Sequence, residues 1–142
     1  MPSPRPDLEG FLLRNPADGA IYLIIDGLKC HVPDQLTCYN LFGLEGNDML
    51  QIVTEVADVA DVSDGLQLTP GAIIAQRTFN DYTTDGALFL VSDAGNESHV
   101  KRYITSPEVA EKYHFNIARY NGELKPTLAF ILDFITSGTD LT

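Results

Sequence analysis

The sequence is poor in several residue types, and each shortage excludes a class of protein. It contains 2 cysteines, too few for the disulfide framework of a small secreted scaffold. Lysine and arginine number 9 against 20 acidic residues, which gives a net charge of -11 at pH 7. A molecule of that charge is repelled by nucleic acid phosphates and by anionic lipid surfaces. We therefore expect neither nucleic acid nor a membrane surface as a partner.

Long apolar segments are also missing. The longest strongly apolar run, residues 128–135, contains Asp133 and is much shorter than a membrane span. The proline-rich residues 1–6 are not followed by the apolar core of a signal peptide. The pattern predicts no membrane insertion and either a cytoplasmic or a non-classically secreted protein.

Apolar residues are nevertheless frequent enough for a packed domain. The chain has 142 residues, of which 44% are hydrophobic and 20% charged, values typical of one globular domain. We expect an extended N-terminal arm over residues 1–9 and a single domain over residues 10–142.

The domain sequence contains an internal repeat. Residues 18–24 and 85–91 both begin Asp-Gly-Ala and continue with apolar or aromatic residues at matching positions. After a longer loop in the second copy, residues 29–32 match residues 101–104. The repeat predicts two units, residues 10–70 and 71–136, followed by a C-terminal closing strand.

Each unit has the pattern of a β-hairpin followed by a short helix. Residues 11–14, 20–25 and 29–32 favour strands, and the Asp-Gly pairs between them favour tight turns. Strands are also favoured over residues 50–59.

Helices are predicted after each hairpin. Residues 34–42 form one, with Leu36, Tyr39 and Phe42 on its apolar face and Gly43 at its end. Ser106 and Pro107 mark the start of the other. The predicted fold class is mainly β with short helices, a β-rich α+β domain closed from two tandem repeats.

These residues carry a resemblance to a known kind of module. Residues 18–33 and the helix after them resemble a pattern D-G-x-h-Y-L-h-x-x-G-x-K-R-H-I-P, followed by S-P-E-h-F, where h is hydrophobic. The pattern recurs, often in tandem, in poorly characterised modules of secreted, mostly bacterial proteins. Residues 101–109 fit it as well, so the likeness covers residues 10–43 and 71–115. The resemblance implies a β-rich accessory or recognition module without catalytic residues, often attached to extracellular hydrolases.

Covalent catalysis has few candidate residues. A nucleophile needs a positioned base, and only Cys30 or Cys38 with His31 offers one. Neighbouring strand residues point to opposite faces, which separates Cys30 from His31. We predict no catalytic residues, and the two cysteines are either a disulfide or two packed thiols.

Metal sites and cofactors are not predicted. His31, His99 and His114 are too scattered to predict a zinc site. Asp58 and Asp61 precede Asp64-Gly65, but a step of three does not match a calcium loop. A solvated acidic turn is the favoured interpretation, with calcium binding as the alternative.

Candidate ligand-binding residues lie where each hairpin meets its helix. Tyr22, Lys29 and His31 have counterparts at Phe89, Lys101 and Tyr103. Aromatic rings beside hydrogen-bonding groups suit sugars, although tryptophan, a favoured platform for sugar rings, is absent. Further candidates precede the second hairpin, namely Asn80, Asp81 and Tyr82.

These features favour a recognition protein. We hypothesise non-enzymatic, lectin-like binding of glycans or a cell-surface polymer. The alternative is a structural or protein-interaction module that binds a protein partner or assembles with itself, for example as a homodimer.

Overall fold

The first sheet is built from the segments that the Asp-Gly turns separate. The computed structural model describes residues 2–44, 46–55, 59–78, 84–94, 97–115, 125–128 and 134–142. Strands β1 (Leu12–Arg14), β2 (Ile21–Ile25) and β3 (Leu28–His31) form an antiparallel meander. Strand β4 (Thr54–Glu55) pairs parallel to β1, so the order is β3-β2-β1-β4. The three strands predicted for the first hairpin are confirmed to within one residue at each end.

The second sheet repeats this order and adds an outer strand. Strands β5 (Ile73–Thr78), β6 (Thr84–Ala94) and β7 (Glu97–Ile104) are antiparallel neighbours. Strand β8 (Lys125–Leu128) pairs parallel to β5, and β9 (Thr136–Ser137) pairs parallel to β7. The order is therefore β8-β5-β6-β7-β9.

Both predicted helices are present, and side chains cap their starts. Helix α1 (Gln35–Phe42) begins after Asp34, whose side chain accepts a hydrogen bond from the Thr37 amide. It ends at Gly43, whose φ of 70° is readily adopted only by a residue without a Cβ. Helix α2 (Pro107–Lys112) begins after Ser106, which caps the Val109 amide.

The predicted apolar face of α1 is confirmed at Phe42, which is buried, and is wrong at Leu36 and Tyr39. Leu36 is 60% exposed, and Tyr39 is 45% exposed. The residues that α1 buries are Thr37, Cys38, Leu41 and Phe42. The helix is turned this way because the Thr37 hydroxyl donates to Asp34 Oδ1 (2.7 Å) and accepts from the Gly71 amide (3.0 Å).

The strand predicted over residues 50–59 is mostly absent from the described part of the chain. Only β4 lies within it, between 3₁₀ turns at Gly46–Gln51 and Val59–Asp61. Ile52 and Val53 pack against the core from beside a 3₁₀ turn, a pattern that periodicity does not distinguish from a strand.

One hydrophobic core joins the two sheets and both helices. It contains residues from β2, β6, α1 and α2, among them Leu23, Leu90, Leu41 and Ala110. Phe42 ends α1, and Phe115 follows α2. Their rings stack with centroids 6.2 Å apart. The protein is thus β-rich with two short helices in its described part, and none of the helices described there is long and apolar enough to cross a membrane.

The N-terminal segment covers the outer face of the first sheet. Its backbone bonds to distant residues, since the Ser3 amide donates to Asp61 O and the Arg5 amide to Gly27 O. Leu8 then packs on a small second core formed by Leu13, Ile24, Val59 and Val62.

Candidate functional site

An open cleft of about 430 Å³ lies at the corner between the first hairpin and α1. Its polar walls come from the β1–β2 turn, the end of β3 and the start of α1. Its apolar surface comes from Ile21, Val32 and Met49. The described residues that line it are Asp18, Gly19, Ala20, Ile21, His31, Val32, Pro33, Asp34, Gln35, Cys38 and Met49.

The β1–β2 turn holds Asp18 at the mouth of the cleft. The Gly19 amide donates to Asn15 O (2.7 Å), and the Asn15 amide donates to Ala20 O (2.9 Å). Gly19 has a φ of 77°, which explains the glycine of the Asp-Gly pair. Asp18 Oδ1 accepts from the Ala20 amide (2.9 Å), so one carboxylate oxygen is fixed by its own turn.

The start of α1 places a second carboxylate in the cleft. Asp34 Oδ1 accepts from the Thr37 amide (2.8 Å) and the Thr37 hydroxyl (2.7 Å). These hydrogen bonds lower the pKa of Asp34, the contact with the hydroxyl being the larger cause. Asp34 is therefore charged at neutral pH, and exposed Gln35 beside it adds a carboxamide.

His31 forms the wall of the cleft at the end of β3. Its Nδ1 lies 3.3 Å from Gln67 Oε1, and its ring centroid lies 5.5 Å from that of Tyr22 on β2. Tyr22 pairs directly with His31 across the strands, which explains the contact between their rings. The structure thus brings His31 to the cleft, with Tyr22 supporting its ring.

Cys38 lines the cleft as a neutral thiol. Burial raises its pKa to about 11, and the nearby charge of Asp34 adds to the effect. The reactive thiolate form is therefore scarce at neutral pH. Cys30 and Cys38 are both buried and form no disulfide, so the two-thiol alternative holds in this structure.

Lys29 lies away from the cleft, under the first sheet's outer layer. Its side chain is 10% exposed, and its Nζ donates to Val59 O (3.2 Å) and Val62 O (3.0 Å). Asp64 Oδ1 lies 3.3 Å from the same nitrogen, and the Tyr22 ring centroid lies 5.6 Å from it. The contacts of Lys29 hold the segment over residues 59–64 against the sheet.

The second sheet has a matching arrangement. Lys101 is 8% exposed, donates to Ile135 O (2.7 Å) and lies 5.9 Å from the Phe89 ring centroid. Phe89 and Tyr103 pair across the strands with centroids 5.6 Å apart. Tyr103, at 38% exposure, is the more accessible of the candidates on β7.

Four of the remaining candidates lie outside the described residues, namely Asn80, Asp81, Tyr82 and Asp58 of the acidic turn. Asp61 and Asp64 are exposed. No group of three or more potential metal ligands is found among the residues that the structure describes.

A polar cluster that sequence reasoning missed joins the two sheets. The side chain of Arg102 is 1% exposed and makes two hydrogen bonds to Asp26, from Nη1 (3.0 Å) and Nη2 (2.9 Å). Its Nε donates to Thr139 O (2.8 Å). In the sequence, this cluster is marked only by the arginine of the K-R-H pattern. That pattern predicts neither the burial of Arg102 nor its pairing with Asp26.

Glu9 and Tyr113 complete this cluster beside a cavity of about 340 Å³. Glu9 accepts from the Asp26 and Gly27 amides and from the Tyr113 hydroxyl. Burial, together with the hydrogen bond to Glu9, raises the pKa of Tyr113. These groups satisfy one another's hydrogen bonds, which is typical of a structural network.

Comparison with protein-family models, with curated proteins and with solved structures finds no match to this chain.

Proposed function

We propose that this protein is a non-enzymatic recognition module of lectin type, which binds a glycan or a related polyhydroxylated polymer. The observation that carries the proposal is the corner cleft, where Asp18, Asp34 and Gln35 surround a partly apolar surface. This combination suits a sugar, because apolar groups cover its C–H faces while charged and amide groups bind its hydroxyls.

The form of the cleft also supports a reversible binding role. It is open to solvent and presents short polar side chains on rigid elements, a strand end, a capped helix start and a tight turn. Each hydrogen bond to a charged group contributes about 1.5–3 kcal/mol. A few such bonds in an open cleft give weak affinity for one sugar, which a polymer with repeated sugars strengthens by multivalency.

A binding role agrees better than catalysis with the chemistry of the cleft. Its thiol, Cys38, is protonated at neutral pH. The imidazole of His31 contacts Gln67 and Tyr22, and neither residue is a nucleophile activated by it. We therefore retain the non-enzymatic hypothesis, in agreement with the resemblance to accessory modules.

We also propose that the domain is two copies of one unit closed around a shared core. Supporting this is the equal order β3-β2-β1-β4 and β7-β6-β5-β8 in the two sheets. Lys29 and Lys101 also make similar contacts at the same register, opposite Ile24 and Val91. Residues 136–141, which run beside β7, have a counterpart in residues 63–68, which run beside β3.

A protein-interaction role is the second candidate, and the outer face of α1 favours it. Leu36 and Tyr39 are 60% and 45% exposed on adjoining turns, next to Gln35 at the cleft. Exposed apolar side chains on one helix face are typical of protein interaction sites.

A glycan array screened with the full chain, followed by titration of any glycan bound, tests the lectin proposal. We expect selective binding that is reduced about tenfold or more by Asp18→Asn or Gln35→Ala, since each change removes one charged or amide contact. Asp61→Asn is the matched control, because it makes the same charge change at an exposed carboxylate outside the cleft.

The array has two further informative outcomes. If no glycan binds, the lectin proposal is wrong. If glycans bind equally well to the Asp18→Asn, Gln35→Ala and control variants, the cleft is not the site. A partner protein whose binding is lost in Leu36→Asp and kept in Gln35→Ala would establish the second candidate instead.

A further inference from the structure

The second sheet carries an apolar groove of about 390 Å³, distinct from the corner cleft. It lies between the turn that enters β5 and the strands β5, β6 and β7. Among the residues of its walls, Ile73, Val91 and Ile135 remain partly exposed. Pro70 lies exposed at the rim.

The groove is an uncharged patch on a strongly acidic protein. Every described residue that lines it is uncharged, whereas the whole chain has a net charge of -11. Two copies of the chain repel each other through that net charge, and the groove adds no charged lining residue to the repulsion.

The first sheet shows what covers the corresponding position. The turn from Leu8 to Phe11 enters β1 with a hydrogen bond from the Phe11 amide to Leu8 O (2.9 Å). Leu8 packs there against a small core that includes Ile24 and Val62. In the first sheet, a large aliphatic side chain from the entering turn therefore covers this face.

The second sheet has a smaller side chain at that position. The turn into β5 has the same hydrogen bond, from the Ala72 amide to Thr69 O (2.9 Å), which places Thr69 where the first sheet has Leu8. Val91 pairs with Lys101 in the second sheet as Ile24 pairs with Lys29 in the first, so Val91 corresponds to Ile24. The groove therefore lies on the face of the second sheet that corresponds to the face covered by Leu8 on the first sheet.

A large exposed ring lies next to the groove. Phe134 is 87% exposed and directly precedes Ile135 in the groove wall. An exposed phenylalanine beside an apolar groove is self-complementary, because a two-fold axis can place each ring in the groove of the other copy.

We propose that two copies of this chain form a two-fold symmetric dimer, in which the partner's Phe134 enters the groove between the turn into β5 and strand β6. The two Phe134 rings and the groove residues that they contact bury roughly 300–500 Å² of surface. Stable protein interfaces bury more, about 1,200 Å² or above. The dimer is therefore weak and forms in a concentration-dependent way. Salt strengthens it by screening the repulsion between the two acidic chains.

Sedimentation velocity of the full chain over a hundredfold range of concentration, roughly 5–500 µM, tests this proposal. We expect the wild type to shift from monomer to dimer, and Phe134→Asp to remain monomeric throughout. Thr69→Leu fills the groove from within, as Leu8 does on the first sheet, and is also expected to remain monomeric. Phe134 is exposed, so Phe134→Asp should keep the fold, and circular dichroism verifies the fold of both variants.

Leu36→Asp is the matched control, since it introduces the same charge at another exposed apolar residue, on α1. It should dimerise almost as the wild type does. The proposal is overturned if the wild type stays monomeric, if Phe134→Asp or Thr69→Leu dimerises normally, or if Leu36→Asp abolishes dimerisation. Glycan binding at the corner cleft should be unchanged in Phe134→Asp, which keeps this test separate from that of the lectin proposal.

Discussion

His114 follows helix α2 in a backbone conformation that glycine favours. Its φ is 63°, close to the 70° of Gly43 after α1, and a side chain there is strained by about 1 kcal/mol. Its amide still donates to Glu111 O (3.0 Å), which helps to end the helix. Burial lowers the pKa of the His114 imidazole, so the folded protein favours its neutral form.

The lowered pKa of buried His114 predicts that the stability of the protein depends on pH. The unfolded chain binds a proton at His114 near its ordinary pKa of about 6.5, before the folded protein does. The contribution of the neutral ring is fully present above that pH and is lost as the pH falls through the lower folded pKa. We expect the wild type to lose more stability than His114→Asn between about pH 7.5 and 5.5, because asparagine tolerates positive φ and does not titrate.

Urea unfolding at a series of pH values measures the difference. Both proteins also carry the same titrating carboxylates, so only the gap between their curves reports on His114. Parallel curves would show that His114 takes up its proton equally in the folded and unfolded chains.

At the scale of elements, Thr37 links α1 to the second sheet. It is completely buried, donates to Asp34 at the helix start, and accepts from the Gly71 amide in the turn into β5. The helix therefore docks through a polar side chain as well as through Leu41 and Phe42.

We expect Thr37→Val to destabilise the protein by about 1–3 kcal/mol, because the valine has the same shape but leaves the Gly71 amide without its acceptor. Thr37→Ser keeps the hydroxyl and should recover most of that loss. Thermal unfolding followed by circular dichroism compares the variants. Equal losses in valine and serine variants would mean that the methyl group, not the hydroxyl, matters.

Thr37 also illustrates which features of the strands and helices can be predicted from the sequence. The strands and helices around the Asp-Gly turns follow from local preferences, since Gly19 and Gly43 need their positive φ. The buried face of α1 does not, because it depends on a hydrogen bond between residues 37 and 71. Likewise the place of His31 at the end of β3 puts it in the wall of the cleft, while Lys29 is held by the carbonyl groups of Val59 and Val62.

For the molecule as a whole, the pair of Arg102 and Asp26 ties one sheet to the other. The guanidinium is almost fully buried and also bonds to the Thr139 carbonyl. The partners are 76 residues apart in sequence, so no local pattern predicts the pair.

We expect Asp26→Asn to destabilise the protein by about 1–3 kcal/mol, because it removes the charge that pairs with buried Arg102 at a site that is partly open to solvent. Asparagine also tolerates the positive φ of 59° at this position, which isolates the effect of charge. The double variant Asp26→Asn with Arg102→Met removes both charges and should be more stable than Asp26→Asn alone. Urea unfolding gives the three free energies, and a double variant less stable than Asp26→Asn would contradict this account.

The two end segments determine how the protein responds to a pulling force. Ser3 exchanges backbone hydrogen bonds with Asp61 and Ser63, and Leu141 exchanges them with Tyr103 and Thr105. A stretching force applied at Ser3 and Leu141 therefore meets these few backbone bonds before it reaches the longer ladders of the two sheets. The mechanical strength of the protein is thus set first by these short pairings of its end segments.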